Sequence, residues 1–106
     1  MKKHHLYMNQ IGLYRQEESV KRVMGNLEAA GLRSYRSVNG ELTGVVSGVS
    51  TNKKETIAQQ KKLDQLHMSY LLKTISTNDS KVVNAINSKD YANALELING
   101  ESKGIK

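Results

Sequence analysis

The most regular signal in the chain is an apolar stripe. Val20, Val23, Met24, Leu27 and Ala30 recur at i, i+3, i+4, i+7 and i+10, the spacing of one helix face. Gln16-Glu17-Glu18-Ser19 opens this helix with acidic residues where the dipole favours them. Gly31 stands where a helix C′ glycine belongs. Ahead of the helix, residues 6–14 mix aromatic, β-branched and polar side chains in the manner of a strand. Behind it, Leu32 to Val38 reads as a second strand, with Leu32, Ser34, Arg36 and Val38 on one face and Arg33, Tyr35 and Ser37 on the other. Asn39-Gly40 predicts a type I′ hairpin turn, and Leu42 to Val49 returns as a third strand carrying glycines at 44 and 48. Thr51-Asn52 caps a second helix from about Lys53 to Leu66, with Ile57, Leu63 and Leu66 as its apolar residues. A fourth strand spans Ser69 to Ser76. The order is β-α-β-β-α-β.

The tail has a different texture. Asn78-Asp79-Ser80 is a capping cluster, and Val82, Val83 and Ile86 mark a short helix. Tyr91, Ala94, Leu95 and Ile98 repeat the i, i+3, i+4, i+7 pattern and end at Asn99-Gly100. Helices this short do not persist alone in water, so they must pack on the domain or on a partner. The division predicted is therefore a βαββαβ domain over residues 6–77 and a helical C-terminal extension over 78–106. The fold class is α+β, ferredoxin-like, with one four-stranded antiparallel sheet and two helices on one face. Val20, Val23, Leu27, Ile57 and Leu63 are the expected core of that helical layer.

Composition narrows the chemistry. Leu, Ile and Val make up just under a quarter of the 106 residues, and Phe, Trp, Pro and Cys are absent. The core must be aliphatic, helped by five Tyr and four Met. Without cysteine there are no disulfides, thiolate zinc sites or thiol nucleophiles. No apolar run approaches the roughly 18 residues of a membrane span, and no signal-peptide core follows the basic start. Any membrane attachment is expected through a missing upstream anchor. A formal charge of +6 keeps phosphate polymers and anionic surfaces open as partners.

The two βα halves echo each other. Gln10-Ile11-Gly12 leads into Glu18-Ser19-Val20, and Val46-Ser47-Gly48 leads into Glu55-Thr56-Ile57. Tyr7-Met8-Asn9-Gln10-Ile11-Gly12-Leu13-Tyr14, then Glu18-Ser19-Val20 and Leu27-Glu28-Ala29-Ala30-Gly31-Leu32, resembles the opening of a SPOR (sporulation-related repeat) domain. Val46-Ser47-Gly48 stands where the family carries another Val-Gly before its second helix. The resemblance covers residues 6–77, and the Cys-free, Lys-rich character is similar to the stage II sporulation protein B type. It implies a non-catalytic module that binds peptide-free glycan strands of peptidoglycan across an exposed sheet face. It also implies a membrane-anchored parent on the extracytoplasmic side of a bacterial membrane, at a division or sporulation septum. No cofactor is implied.

In that light Gln10 takes the place of the family's exposed first-strand glutamine, an amide that both donates and accepts. With Ile11 inward, alternation sends Met8, Gln10 and Gly12 outward together. Leu13 stands where the family often has a ligand-facing Ser, and Leu42 and Gly44 stand near its usual aromatic and Arg. Ser34, Arg36 and Lys73 are the replacements available from neighbouring strands. Asn9 occupies a position where an inward aliphatic is usual, and a buried amide needs partners. His4, His5 and His67 lack an acidic companion set with ligand spacing, so no metal site is expected. Glu17-Glu18 and Asp79 read as helix-start residues rather than a glycosidase pair. No P-loop, nucleophile elbow or HExxH is present, and no enzyme is predicted. RNA-recognition domains share the element order but read bases with aromatics on their central strands. The third strand here has none, so no nucleic-acid partner is expected. The other alternative is a protein-interaction module whose C-terminal helices dock on a partner.

Overall fold

Glu17–Ala29 (α1) ends in the way its sequence predicts. Gly31 adopts a φ of 78°, its N–H bonds to the Glu28 carbonyl, and the Leu32 N–H reaches back to Leu27, both at 2.9 Å. These two bonds make a Schellman cap. The computed structural model, which describes residues 3–104, orders the remaining elements as expected. They are β1 (His4–Tyr14), β2 (Ser34–Asn39), β3 (Leu42–Ser50), α2 (Lys53–Gln65), β4 (Leu71–Thr77), α3 (Ser80–Asn87) and α4 (Tyr91–Gly104). Asn52 caps α2 by accepting from the Lys54 N–H, and Asp79 caps α3 by accepting from those of Lys81 and Val82. α4 runs through Asn99-Gly100 to Gly104. Those residues cost a helix only about 1 kcal/mol in propensity, and no proline follows to enforce a stop.

The four strands form one antiparallel sheet in the order β2-β3-β1-β4. Two helical layers enclose it. On one face α1 and α2 bury Val20, Val23, Leu27 and Leu63 against Val45. On the other, α3 and α4 bury Val82, Ala85, Ile86, Ala94 and Leu95 against Leu6, Met8 and Val46. The tail helices therefore pack on the domain, and their apolar stripes are spent there. Tyr91 and Ile98 join this second cluster with Tyr35 and Ile75.

Three local expectations are corrected. The hairpin turn residues are Gly40-Glu41, because Asn39 pairs with Leu42. Only Gly40 has positive φ there, which is the pattern of a type II′ turn with glycine first rather than type I′. Ile57, expected in the core, is 45% exposed, and Thr56 is buried instead. The reason is that α2 packs on the sheet through polar groups. Thr56 Oγ1 donates to the Gly48 carbonyl at 2.6 Å. Asn9 Nδ2 donates to the Thr56 carbonyl (2.9 Å) and to Gln59 Oε1 (3.0 Å), while Gln60 Nε2 donates to Asn9 Oδ1 (3.0 Å). Gln59 Nε2 completes the set by donating to Ser47 Oγ at 2.7 Å. Asn9 is thus wholly buried yet satisfied, and no buried side-chain polar atom among the described residues lacks a partner.

The third correction is to the strand register. Two irregularities interrupt the β1–β3 pairing, one between Tyr7 and Asn9 and one between Gln10 and Gly12. At the first, Gly48 of β3 takes a φ of 64°. At the second, Ile11 is the extra residue, and the alternation of faces restarts after it. Gln10 pairs with Val46, on the α3–α4 face, but Gly12 pairs with Val45, on the α1–α2 face. The expectation that Met8, Gln10 and Gly12 point outward together fails at Gly12 for this reason. The two glycines of the internal echo, Gly12 and Gly48, both lie at these bulges.

Candidate functional site

α3 and α4 leave part of their sheet face open. Beside α4 a groove of about 610 Å³ crosses all four strands and is lined by Met8, Gln10, Leu13, Ser37, Lys73 and Asn99, among others. Gln10 lies between Val46 of β3 and Leu71 of β4, and its half-buried amide reaches the groove from the centre of the sheet. Lys73, opposite Met8 on β4, is exposed. Ser37 enters from β2, where it pairs with Gly44. Leu13 pairs with Gly44 from the other side and is 48% exposed. A Cβ on Gly44 would come within 3.3 Å of the Ser37 carbonyl oxygen and 3.4 Å of the Leu13 side chain. Glycine there lets Ser37 and Leu13 approach β3 closely from either side.

The predicted residues divide between two places. Met8, Gln10 and Lys73 come together at the groove, although Met8 is only 2% exposed and serves as floor beneath the tail helices. Gly12 lies on the opposite face, where the Tyr14 ring covers it: a Cβ there would fall 2.3 Å from the Tyr14 hydroxyl. Ser34 and Arg36 pair with Ser47 and Val45 on that same α1–α2 face. Both border a second depression at the β2 edge. Arg36 is also engaged by the Glu17 carboxylate of α1. That hydrogen bond holds the Glu17 carboxyl below its usual range and raises the Arg36 guanidinium above its own. Sequence reasoning missed Ser37 and Asn99. The second face of the alternating β2 pattern already contained Ser37, while Asn99 was read as a helix stop.

The groove combines polar and aliphatic side chains. Its lining offers two kinds of amide, the Ser37 hydroxyl, one ammonium and aliphatic surface from Leu13 and Ile75, and it includes no carboxylate. Lys73 has no ion-pair partner among the described residues. Among those residues no three His, Cys, Asp or Glu side chains group as metal ligands. No helix among them is long and apolar enough to cross a membrane.

No family model and no curated protein sequence matches the chain. Solved structures do. One is the peptidoglycan binding domain of the B. subtilis cell wall lytic enzyme CwlC, with a TM-score of 0.64 at 19% identity over 71% of this chain and 95% of that one. Another is the Spor protein DedD, with a TM-score of 0.57 at 27% identity over 69% of this chain. Only 40% of the DedD chain is covered.

Proposed function

The chain is a SPOR-like domain, and from that premise we propose that it is a non-catalytic peptidoglycan-binding module. Its ligand is the peptide-free glycan strand, held in the groove beside α4. The observation that carries this reading is the composition of that groove. Gln10 lies at the centre of the open sheet, flanked by Lys73 and Ser37, with no carboxylate in the lining. A pyranose presents hydroxyls and acetamido groups around an apolar ring. Amides and hydroxyls set among aliphatic side chains answer both parts of that surface. The likeness to a peptidoglycan binding domain supports the same ligand class.

The module's role is to place a parent protein. A domain that recognises glycan stripped of its stem peptides collects where amidases have worked, at a division or sporulation septum. It would act there on the extracytoplasmic side of the membrane, as part of an anchored protein. Co-sedimentation with purified sacculi, before and after amidase removal of stem peptides, tests this directly. The stripped sacculi should retain more protein, and Gln10→Ala should abolish the difference. Equal retention by both preparations, or tight salt-sensitive binding to RNA, would overturn the reading.

A further inference from the structure

A second depression, of about 560 Å³, runs along the free edge of β2 between α1 and α4. Its lining includes Met24 of α1, Ser34, Tyr35 and Arg36 of β2, and Ala92 and Glu96 of α4. Ala92, Glu96 and Asn99 recur at i, i+4 and i+7, so they form one stripe of α4. That stripe is distinct from the Tyr91, Ala94, Leu95 and Ile98 stripe packed on the sheet. Val38 and Asn99 line this depression and the groove over Gln10 alike. The two therefore adjoin at these residues, one reaching Lys73 on β4 and the other lying along the β2 edge.

We propose that the edge depression is a second glycan subsite, which holds the sugars that follow those lying over Gln10. This inference rests on the glycan reading of the groove and extends its footprint. Three features fit a sugar. Tyr35 supplies an aromatic surface, held by an edge-on contact with Tyr91 at a centroid distance of 6.1 Å. Met24 and Ala92 add apolar contact. Arg36, Glu96, Ser34 and Asn99 add hydrogen-bonding groups at the rim, and the Glu17 bond restrains Arg36 before any ligand arrives. The volume lies within the about 300–1,000 Å³ of small-molecule sites. α4 is thereby a wall of the ligand site as well as a cover for the sheet.

The test uses the whole chain and peptide-free glycan fragments sized into a length series, titrated by calorimetry. Affinity should rise about tenfold once the fragment is long enough to pass Val38 and Asn99, as one added subsite of modest strength would give. Ala92 is exposed, so Ala92→Leu should fill the depression without disturbing the fold, and unchanged thermal melting checks that. This variant should bind long fragments only as well as short ones and leave short-fragment affinity unaltered, whereas Gln10→Ala should weaken both. Amide shifts at Ser34 and Ala92 should move with long fragments only. Length-independent affinity, or long fragments binding Ala92→Leu as they bind the parent chain, would overturn the second subsite and spare the first. Binding by no fragment of any length would overturn both.

Discussion

Truncating Leu95 to Ala asks whether the tail is part of the domain. Leu95 is wholly buried on α4, in a cluster with Leu6, Met8 and Val46 of the sheet and Val82 and Ile86 of α3. The sheet beneath is fixed by hydrogen bonds on both sides and cannot collapse into the space left by the missing atoms. The cost should therefore fall within the usual about 2–5 kcal/mol for a buried leucine. At about 4–8 °C per kcal/mol for a domain near this size, the melting midpoint should drop by about 8 °C or more. Leu27→Ala, equally buried on the opposite face, should cost a similar amount. The two clusters share no residue, so the double variant should show the sum to within about 0.5 kcal/mol.

The assay is thermal unfolding followed by far-ultraviolet dichroism and by tyrosine near-ultraviolet dichroism. The second signal includes the Tyr35–Tyr91 contact between sheet and tail. In every variant the two probes should give one coincident transition. An early transition in Leu95→Ala that removes helix while the main midpoint stays put would refute the reasoning. It would mean that α3 and α4 are an appendage and the sheet face is self-sufficient.

Other outcomes follow from local geometry. His67 and Lys89 carry positive φ values of 56° and 59° at the ends of α2 and α3, a region that costs an L-residue about 1–2 kcal/mol. Lys89→Gly should raise the melting midpoint by a few degrees, and an unchanged or lowered midpoint would refute a strained cap. Asn9→Ala removes the centre of the polar contact between β1 and α2 and strands Gln59 and Gln60. It should destabilise by about 1–3 kcal/mol, measured by urea titration, and a neutral result would show that water replaces the amide. Burial first, then Tyr35 and Glu55, raise the Tyr91 phenol above its ordinary pKa. Its contribution is present below about pH 10 and is lost as the pH rises through the raised folded value. Tyr91→Phe should therefore flatten the alkaline limb of the stability profile, and an identical limb would exclude the phenol as its cause.

The element order and the α1 cap were legible because each rests on local chemistry: a 3.6-residue stripe, a capping side chain, a glycine at C′. The face of Gly12 was not. A one-residue bulge at Ile11 reverses every inference drawn from alternation beyond it, and a bulge in β1 is a property of its pairing with β3. The same limit hid the inward face of α2. Its apolar residues Ile57 and Leu66 are exposed, because Asn9 of a distant strand calls for Thr56, Gln59 and Gln60 in their place. Asn9 was conspicuous in the sequence, but only the structure supplies its partners. For the groove, Gln10 came from the family resemblance and Lys73 from a neighbouring strand, and the structure brings both to one lining. Whether Ser34 and Arg36 or Tyr35 and Ser37 shared Gln10's face depended on the register that pairs Tyr35 with Val46.

Met8, expected at an open ligand face, packs instead beneath the tail helices. An open ligand face gains little from a methionine, or from the apolar surface of Leu6, Val46, Tyr35 and Ile75 that shares its cluster. The tail, for its part, had two apolar stripes and no surface of its own to bury them. Each exposed set leaves a hydrophobic cost that the other removes, at about 1.5–3 kcal/mol for every large side chain fully covered. α3 and α4 thus settle on the sheet and leave the groove beside α4 open. The helices take Leu6, Met8 and Val46, and the part of the face they leave mixes Gln10, Ser37 and Lys73 with the exposed Leu13.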